Sequence, residues 1–240
     1  MYHKDAVSFT DAYIWLMKRI LKSGTDVNCR LGGMKEVLGA SYTLQYCSNL
    51  AHAQPDSKLT KRNFKYDFAI KHFEWLMAGK TDMSELLGTN ANAANFMPGD
   101  EIPEGFTTAY GPRITRQLPG IIKLLTDESN TRRAVMHILE EKDKLIWDLD
   151  TKLEYPCTSH LHFFVRGDFL HTIVVMRSNN VTTTMCYDVS AFWLLSNYLC
   201  YVLQLRNGNF TMQIGSAHIL YSERELASAI IDQAKTLQLC

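Results

Sequence analysis

No apolar run in this chain of 240 residues approaches the roughly eighteen residues that a membrane span requires. The first stretch, MYHKDAVSFTDAY, lacks the apolar core of a secretory leader. The six cysteines (Cys29, Cys47, Cys157, Cys186, Cys200 and Cys240) form no CxxC pair and no metal-ligand spacing, which excludes an obvious zinc site or disulfide framework. Neither sign of charge is in excess, with 25 basic and 25 acidic residues, so a nucleic-acid or membrane-surface binder is disfavoured. Repeats and low-complexity tracts are absent as well. These absences predict a reduced, cytoplasmic setting with no metal, nucleic-acid or membrane partner. An anionic ligand would have to be held by a few placed arginines.

What is present is enough apolar material, 46% of residues, for a substantial core in a single domain spanning 1–240. Residues 9–23 carry Tyr13, Ile14, Met17, Ile20 and Leu21 at helical spacing behind a Thr-Asp start, with Gly24 as the stop. The next stretch, TDVNCRLGGMKEVLG, has no clear period and reads as a loop leading into a strand. Residues 64–79 predict a second helix, with Phe64, Phe68, His72, Trp75 and Leu76 on one face and Asp67, Lys71 and Glu74 on the other. A long loop over 89–113 precedes a helix over about 114–126 and a strand in AVMHIL. Two β-rich segments, 160–166 and 169–176, flank a turn at Arg166-Gly167-Asp168. Residues 188–205 are apolar on nearly all sides, as in a buried central helix that Asp188 could cap. A turn and a strand follow. The mixture without strict alternation predicts an α+β fold.

Cys157, in EYPCTSHLHFFV, is the most suggestive single residue. A structural cysteine needs only apolar neighbours, whereas a nucleophilic one also needs nearby positive charge to hold its thiolate. Arg177 and the pair Arg132-Arg133 could supply it. Alone, Cys157 could equally fill core, His72 could be a hydrogen-bonded core histidine, Asp188 a helix cap, and any one arginine a solvated charge.

Taken together, NCR, TRR, PC, RSNN, the helix-opening aspartate and GSAHI occur in an order and spacing that resembles the thymidylate synthase family, including its deoxycytidylate hydroxymethylase branch. The resemblance runs from about residue 12 to 221 and is strongest over 155–218. It implies a large mixed sheet flanked by helices and a homodimer formed through the sheet face. It also implies one-carbon transfer to carbon 5 of a pyrimidine nucleoside monophosphate, with 5,10-methylenetetrahydrofolate as donor. Cys157 would be the nucleophile that adds to carbon 6. Arg30, Arg177 and Ser178 would hold the phosphate, joined by Arg132 and Arg133 reaching in from the other subunit. Tyr110 would lie near the catalytic cysteine, and His218 would contact the sugar. Asp188 stands where thymidylate synthases carry a uracil-pairing asparagine and where the hydroxymethylases carry an aspartate, so it points to cytosine.

Departures fall mostly on the folate side. His72 replaces the glutamate that relays protons through water; a histidine can act as acid or base near neutral pH. Thr158 replaces the histidine after the nucleophile. Asn180, grouped with Asp188 and His218 around base and sugar, replaces an aspartate that contacts the pterin. TTTMCY replaces a glycine-proline segment, and NANAANF replaces a tryptophan-containing stretch. Leu220 takes the place of a sugar-binding tyrosine, unless Tyr221 slips into it, and the C-terminal segment that covers the cofactor is largely missing. Three readings follow. One is a deoxycytidylate one-carbon transferase giving a hydroxymethyl or methyl product, a chemistry suited to a phage-infected host. The others are a thymidylate synthase acting on deoxyuridylate and a nucleotide-binding protein that has lost the cofactor chemistry.

Overall fold

The computed structural model describes residues 2–29, 32–82, 86, 108–144 and 155–239. Their frame is a seven-stranded mixed sheet. The strands are β1 (Tyr2–Ala6), β2 (Thr25–Cys29), β3 (Gly32–Leu44), β4 (Val135–His137), β5 (Thr158–Arg166), β6 (Phe169–Asn180) and β7 (Arg206–Leu220). They run in the order β1-β3-β7-β6-β5-β4, with β2 hairpinned onto β3. β1 is parallel to β3 and β6 to β7; the remaining pairs are antiparallel. Among the described residues, the helices that accompany the sheet are α1 (Phe9–Ser23), α2 (Tyr66–Met77), α3 (Tyr110–Asp127), α4 (Met185–Leu203) and α5 (Arg224–Thr236). No described helix is long and apolar enough to cross a membrane.

Helix α1 spans the expected residues, but its cap is Ser8 and not the Thr-Asp pair: the Ser8 hydroxyl accepts the Asp11 N–H at 3.2 Å, satisfying an orphan donor. Its apolar stripe, Phe9, Tyr13, Ile14, Met17 and Ile20, is wholly buried. Helix α4 is buried through most of its length, including Phe192, Trp193, Leu195 and Leu199. Both pack on the face of the sheet that carries Tyr42, Leu44, Leu161, Phe163, Val174, Met176, Met212 and Ile214. The opposite face carries His160, His162, Phe164, Ile173 and Val175 half-exposed and Leu38 at 66% exposure.

The side-chain alternation breaks at one level across three neighbouring strands. Along β6 the buried positions run Leu170, Thr172, Val174, Met176, then Asn179. On β7 they run Phe210, Met212, Ile214, then Ala217, and on β3 Val37 is followed by Ala40. Gly39 accommodates this step at φ +66°, a left-handed conformation costly for other residues. Gly215 leaves room for the Arg177 carbonyl, which a β-carbon would meet at 2.7 Å. The pairing register runs through this level unshifted, so the three strands step together and re-aim whatever follows on each.

Several expectations need correction. The stretch read as a loop forms β2 and the start of β3. The third helix starts at Tyr110, not near 114, and α4 starts at Met185. Thr184 is therefore the residue preceding α4, and Asp188 lies inside its first turn and does not cap it. Strand β6 continues through Asn180, which puts the whole RSNN motif on the sheet.

Candidate active site

The carboxyl end of β6, the start of β5 and the end of β7 bring most of the singled-out residues together. The Arg177 N–H donates to the Cys157 carbonyl at 2.8 Å, so the two residues are neighbours across the β5–β6 ladder. Arg177 Nη2 lies 3.8 Å from Cys157 Sγ. This sets a fixed positive charge against the sulfur, the environment that favours a nucleophilic thiolate. Three further contacts hold the guanidinium in place. Its Nε donates to the Pro156 carbonyl at 3.0 Å, Nη2 donates to the Tyr155 carbonyl at 2.7 Å, and it sits 5.0 Å from the centre of the Tyr155 ring. Among the described residues, Nη1 is left open for an anion.

Tyr110, at the first turn of α3, anchors the same segment from the other side. Its hydroxyl accepts the backbone N–H of both Cys157 and Thr158, each at 3.1 Å. Burial pushes its phenol well above the ordinary value, so it stays a neutral acceptor. The tyrosine placed near the nucleophile by sequence thus positions its backbone.

In the parallel β6–β7 register Ser178 lies opposite Ser216 and Asn180 opposite His218. The Ser178 hydroxyl and His218 Nδ1 are 3.4 Å apart. Desolvation lowers the His218 pKa, which keeps the ring neutral near pH 7. Glu36 on β3, which the sequence reading missed, pairs with His218 in register and accepts the Ser216 hydroxyl.

Asp188 joins the cluster through Asn179, whose Nδ2 donates to Asp188 Oδ2 at 2.8 Å. The carboxyl retains some solvent contact, yet it is so closely surrounded that desolvation raises its pKa from 3.8 to about 7. The Asn179 amide and the Thr184 hydroxyl pull the other way, more weakly. The unfolded chain ionises first as pH rises. The stability linked to this group is therefore full below about 3.8 and is lost as pH climbs through about 7. The turn ahead of Asp188, where a glycine-proline segment is replaced, is held by a buried guanidinium. Arg62 donates Nη2 to the Thr183 carbonyl at 2.6 Å and Nε to Cys186 Sγ at 3.3 Å. The Tyr13 hydroxyl also donates to the Thr182 carbonyl at 3.0 Å. Arg62 went unnoticed because nothing local distinguishes it from a surface arginine in KRN.

The other expectations fare differently. His72 lies on α2 between Phe68 and Trp75, with ring centres 6.0 and 6.4 Å away. Burial lowers its pKa to about 4, so at neutral pH it is an uncharged base. Asn180 is partly engaged within the chain. Its Oδ1 accepts the Thr182 and Thr183 N–H groups at 3.0 and 3.2 Å, and its Nδ2 donates to Glu223 at 3.1 Å. These bonds use its Oδ1 and one of its two amide N–H groups, so a single N–H is left to meet a ligand. Tyr221 does not slip into the place of Leu220, for its hydroxyl donates to Asp26 on β2 at 2.8 Å. Arg30 and the NANAANF stretch lie outside the described residues. Arg132 and Arg133 are exposed, and Arg133 pairs with Glu128. Ala134 bonds to Phe163, far along β5 from Cys157, a separation of about 20 Å at ~3.3 Å per residue. The tandem pair therefore cannot reach the thiol of its own chain.

The thymidylate synthase family model matches residues 11–238. A thymidylate synthase of Buchnera aphidicola subsp. Baizongia pistaciae is 24% identical over 219 residues, covering 87% of this chain and 78% of that protein. A relative carrying the thymidylate synthase name, from Methanocaldococcus jannaschii, is 26% identical over 120 residues, half of this chain and 54% of its own length. The match spans the cysteine, the arginine beside it and the strands that bring them together, and on that footing the chain belongs to the thymidylate synthase family.

Proposed function

We propose that this protein is a one-carbon transferase acting at carbon 5 of a pyrimidine nucleoside monophosphate, with deoxycytidylate as the favoured substrate. The observation that carries the reading is the pairing of Cys157 Sγ with the Arg177 guanidinium at 3.8 Å, beside a half-buried acid on α4. The thiolate adds to carbon 6, the 5,6-double bond opens, and carbon 5 becomes the nucleophile. Arg177 and Ser178 take the phosphate side, His218 the sugar and Asp188 the base edge. Near neutral pH Asp188 exists in both protonation states. In its neutral form it offers one donor and one acceptor, which suits the ring nitrogen and amino group of cytosine. His72, neutral and enclosed, is the candidate base for proton movement at the ring.

The family's donor is methylenetetrahydrofolate. Asn180, the residue expected on the pterin side, would offer it a single amide N–H, its Oδ1 and other N–H being used within the chain. The nucleotide half of the chemistry is the better furnished.

The assay is tritium release from carbon 5 of labelled deoxycytidylate and deoxyuridylate, with and without methylenetetrahydrofolate. Folate-dependent release, faster from deoxycytidylate, is expected. Release from deoxyuridylate alone would make the protein a thymidylate synthase, and binding without release a degenerate binder. Asp188→Asn should shift the preference toward the uracil nucleotide by about tenfold or more, the scale of one mismatched polar contact.

A homodimer through the uncovered sheet face completes the reading. That face is half-apolar and carries an open pocket of about 390 Å³ beside Arg177, lined in part by Ser41, Val175, Gln213 and Gly215. Arg132 and Arg133, out of reach of their own thiol, would serve the partner's site. Light scattering should give twice the chain mass, and Arg132→Ala/Arg133→Ala should weaken phosphate-dependent nucleotide binding at least tenfold while leaving the dimer intact. A monomer, or unchanged affinity, removes this part of the proposal.

A further inference from the structure

Asn179 is 1% exposed and sits just past the step in side-chain alternation, on the side of the sheet that faces α4. Two acceptors converge on its Nδ2: Asp188 Oδ2 at 2.8 Å and Met176 Sδ at 3.2 Å. A thioether can only accept, so Met176 fixes which end of the amide faces the acid. The other end, Oδ1, is buried and has no hydrogen-bond partner among the described residues. A residue kept for packing alone would not bring an unsatisfied acceptor into the core. The other groups facing Asp188 are Tyr42 from β3, Tyr110 from α3, and Cys186 and Thr184 at the start of α4, with Arg62 beyond Cys186. Burial raises both phenols and the thiol, so none of these three competes as a charge near neutral pH.

We propose that Asn179 is a specificity-determining positioning residue: by donating to Asp188 Oδ2 it assigns the carboxyl proton to Oδ1 and so fixes the order of donor and acceptor shown to the base. The inference rests on Asp188 as the base reader. With Oδ2 reserved as acceptor, a neutral Asp188 presents a hydroxyl at Oδ1 and a lone pair at Oδ2. Cytosine carries an acceptor at nitrogen 3 and a donor at its amino group. Uracil carries the same two roles in reverse, N–H at nitrogen 3 and an acceptor at oxygen 4. A proton free to sit on either oxygen would suit both bases, whereas one pinned to Oδ1 suits only one order.

The test is calorimetric binding of deoxycytidylate and deoxyuridylate between pH 5 and 9, on the full chain and its variants. Asn179→Leu, which keeps the same branched outline without the polar atoms, should lower the cytosine-to-uracil affinity ratio at least tenfold. It should also move the pH midpoint of deoxycytidylate binding upward, because the N–H that favours the ionised carboxylate is gone. Asn179→Ser, which keeps a donor, should restore part of both. A folded Asn179→Leu protein with unchanged ratio and midpoint overturns the inference and leaves the base-reading role of Asp188 standing. Wild-type protein that binds neither nucleotide, or both equally, removes that role and this inference with it. Should the leucine variant fail to fold, nitrogen-15 NMR of the wild type decides. The Asn179 side-chain amide must titrate with the same midpoint as the Asp188 carboxyl, and an amide that does not respond overturns the proposal.

Discussion

Cys157→Ala should abolish tritium release from carbon 5, by on the order of 10⁴-fold or more, while nucleotide affinity stays within about tenfold. The separation of the two effects follows from what holds the site together. Arg177 is fixed by the carbonyls of Tyr155 and Pro156 and by the Tyr155 ring, none of which depends on the sulfur. Tyr110 bonds the backbone N–H groups of residues 157 and 158, which alanine retains. The anion-holding guanidinium therefore keeps its place when the nucleophile goes. Cys157→Ser keeps the shape and the hydrogen-bonding capacity but loses a group that ionises readily, and it should be nearly as inactive. Single-turnover tritium release together with calorimetry on both variants measures the split. Residual turnover in Cys157→Ala would remove the cysteine from the mechanism, and loss of affinity in step with turnover would make it a binding or structural group.

The first four helices were legible in the sequence because each solves a local problem, whereas α5 went unread. In α1 the apolar stripe and Gly24 agree, although the cap is Ser8 and not the Thr-Asp pair, and α4 declares itself by being apolar all round. The hairpin of β2 and the first part of β3 was not legible. Its residues, TDVNC and GGMKEVLG, are exposed or only half-buried until Val37, so no alternation marks them. Among the site residues, Cys157, Arg177, Ser178 and His218 were found because the order of the motifs carried them. The structure places all four in one cluster. Asn179 was missed for a reason internal to the fold: strict alternation along β6 would put it on a different face from Met176, and only the step shared by β3, β7 and β6 brings it to the same side. Arg62 was missed because its burial depends on a turn more than a hundred residues away in the chain. The engagement of Asn180 was hidden for two other reasons: the turn just after it takes up its Oδ1, and Glu223, 43 residues on, takes up one N–H.

A second large effect is expected far from the thiol. Arg113 and Asp143 are 1% and 0% exposed and form a bidentate pair, Nη1–Oδ2 at 2.6 Å and Nη2–Oδ1 at 2.8 Å. Arg113 Nη1 also donates to the Ile138 carbonyl at 2.6 Å, and Asp143 Oδ2 accepts the Glu140 N–H at 2.7 Å. The pair ties the first turn of α3 to the turn that follows β4. Asp143→Ala leaves a desolvated guanidinium without its counter-charge and should cost about 3–5 kcal/mol, read as a lowered midpoint in urea at unchanged slope. Replacing both partners together, Arg113→Met with Asp143→Leu, should recover most of that loss, since the penalty lies in the uncompensated charge. The two variants also differ in what they do to catalysis. Tyr110 sits one turn before Arg113 on the same helix and bonds the N–H groups that seat the nucleophile. Asp143→Ala should therefore slow tritium release even at temperatures where the protein remains folded, and the double replacement should restore it in proportion to the stability regained. Full activity in folded Asp143→Ala would show that Tyr110 holds its place without the pair, and would confine the buried ion pair to stability alone.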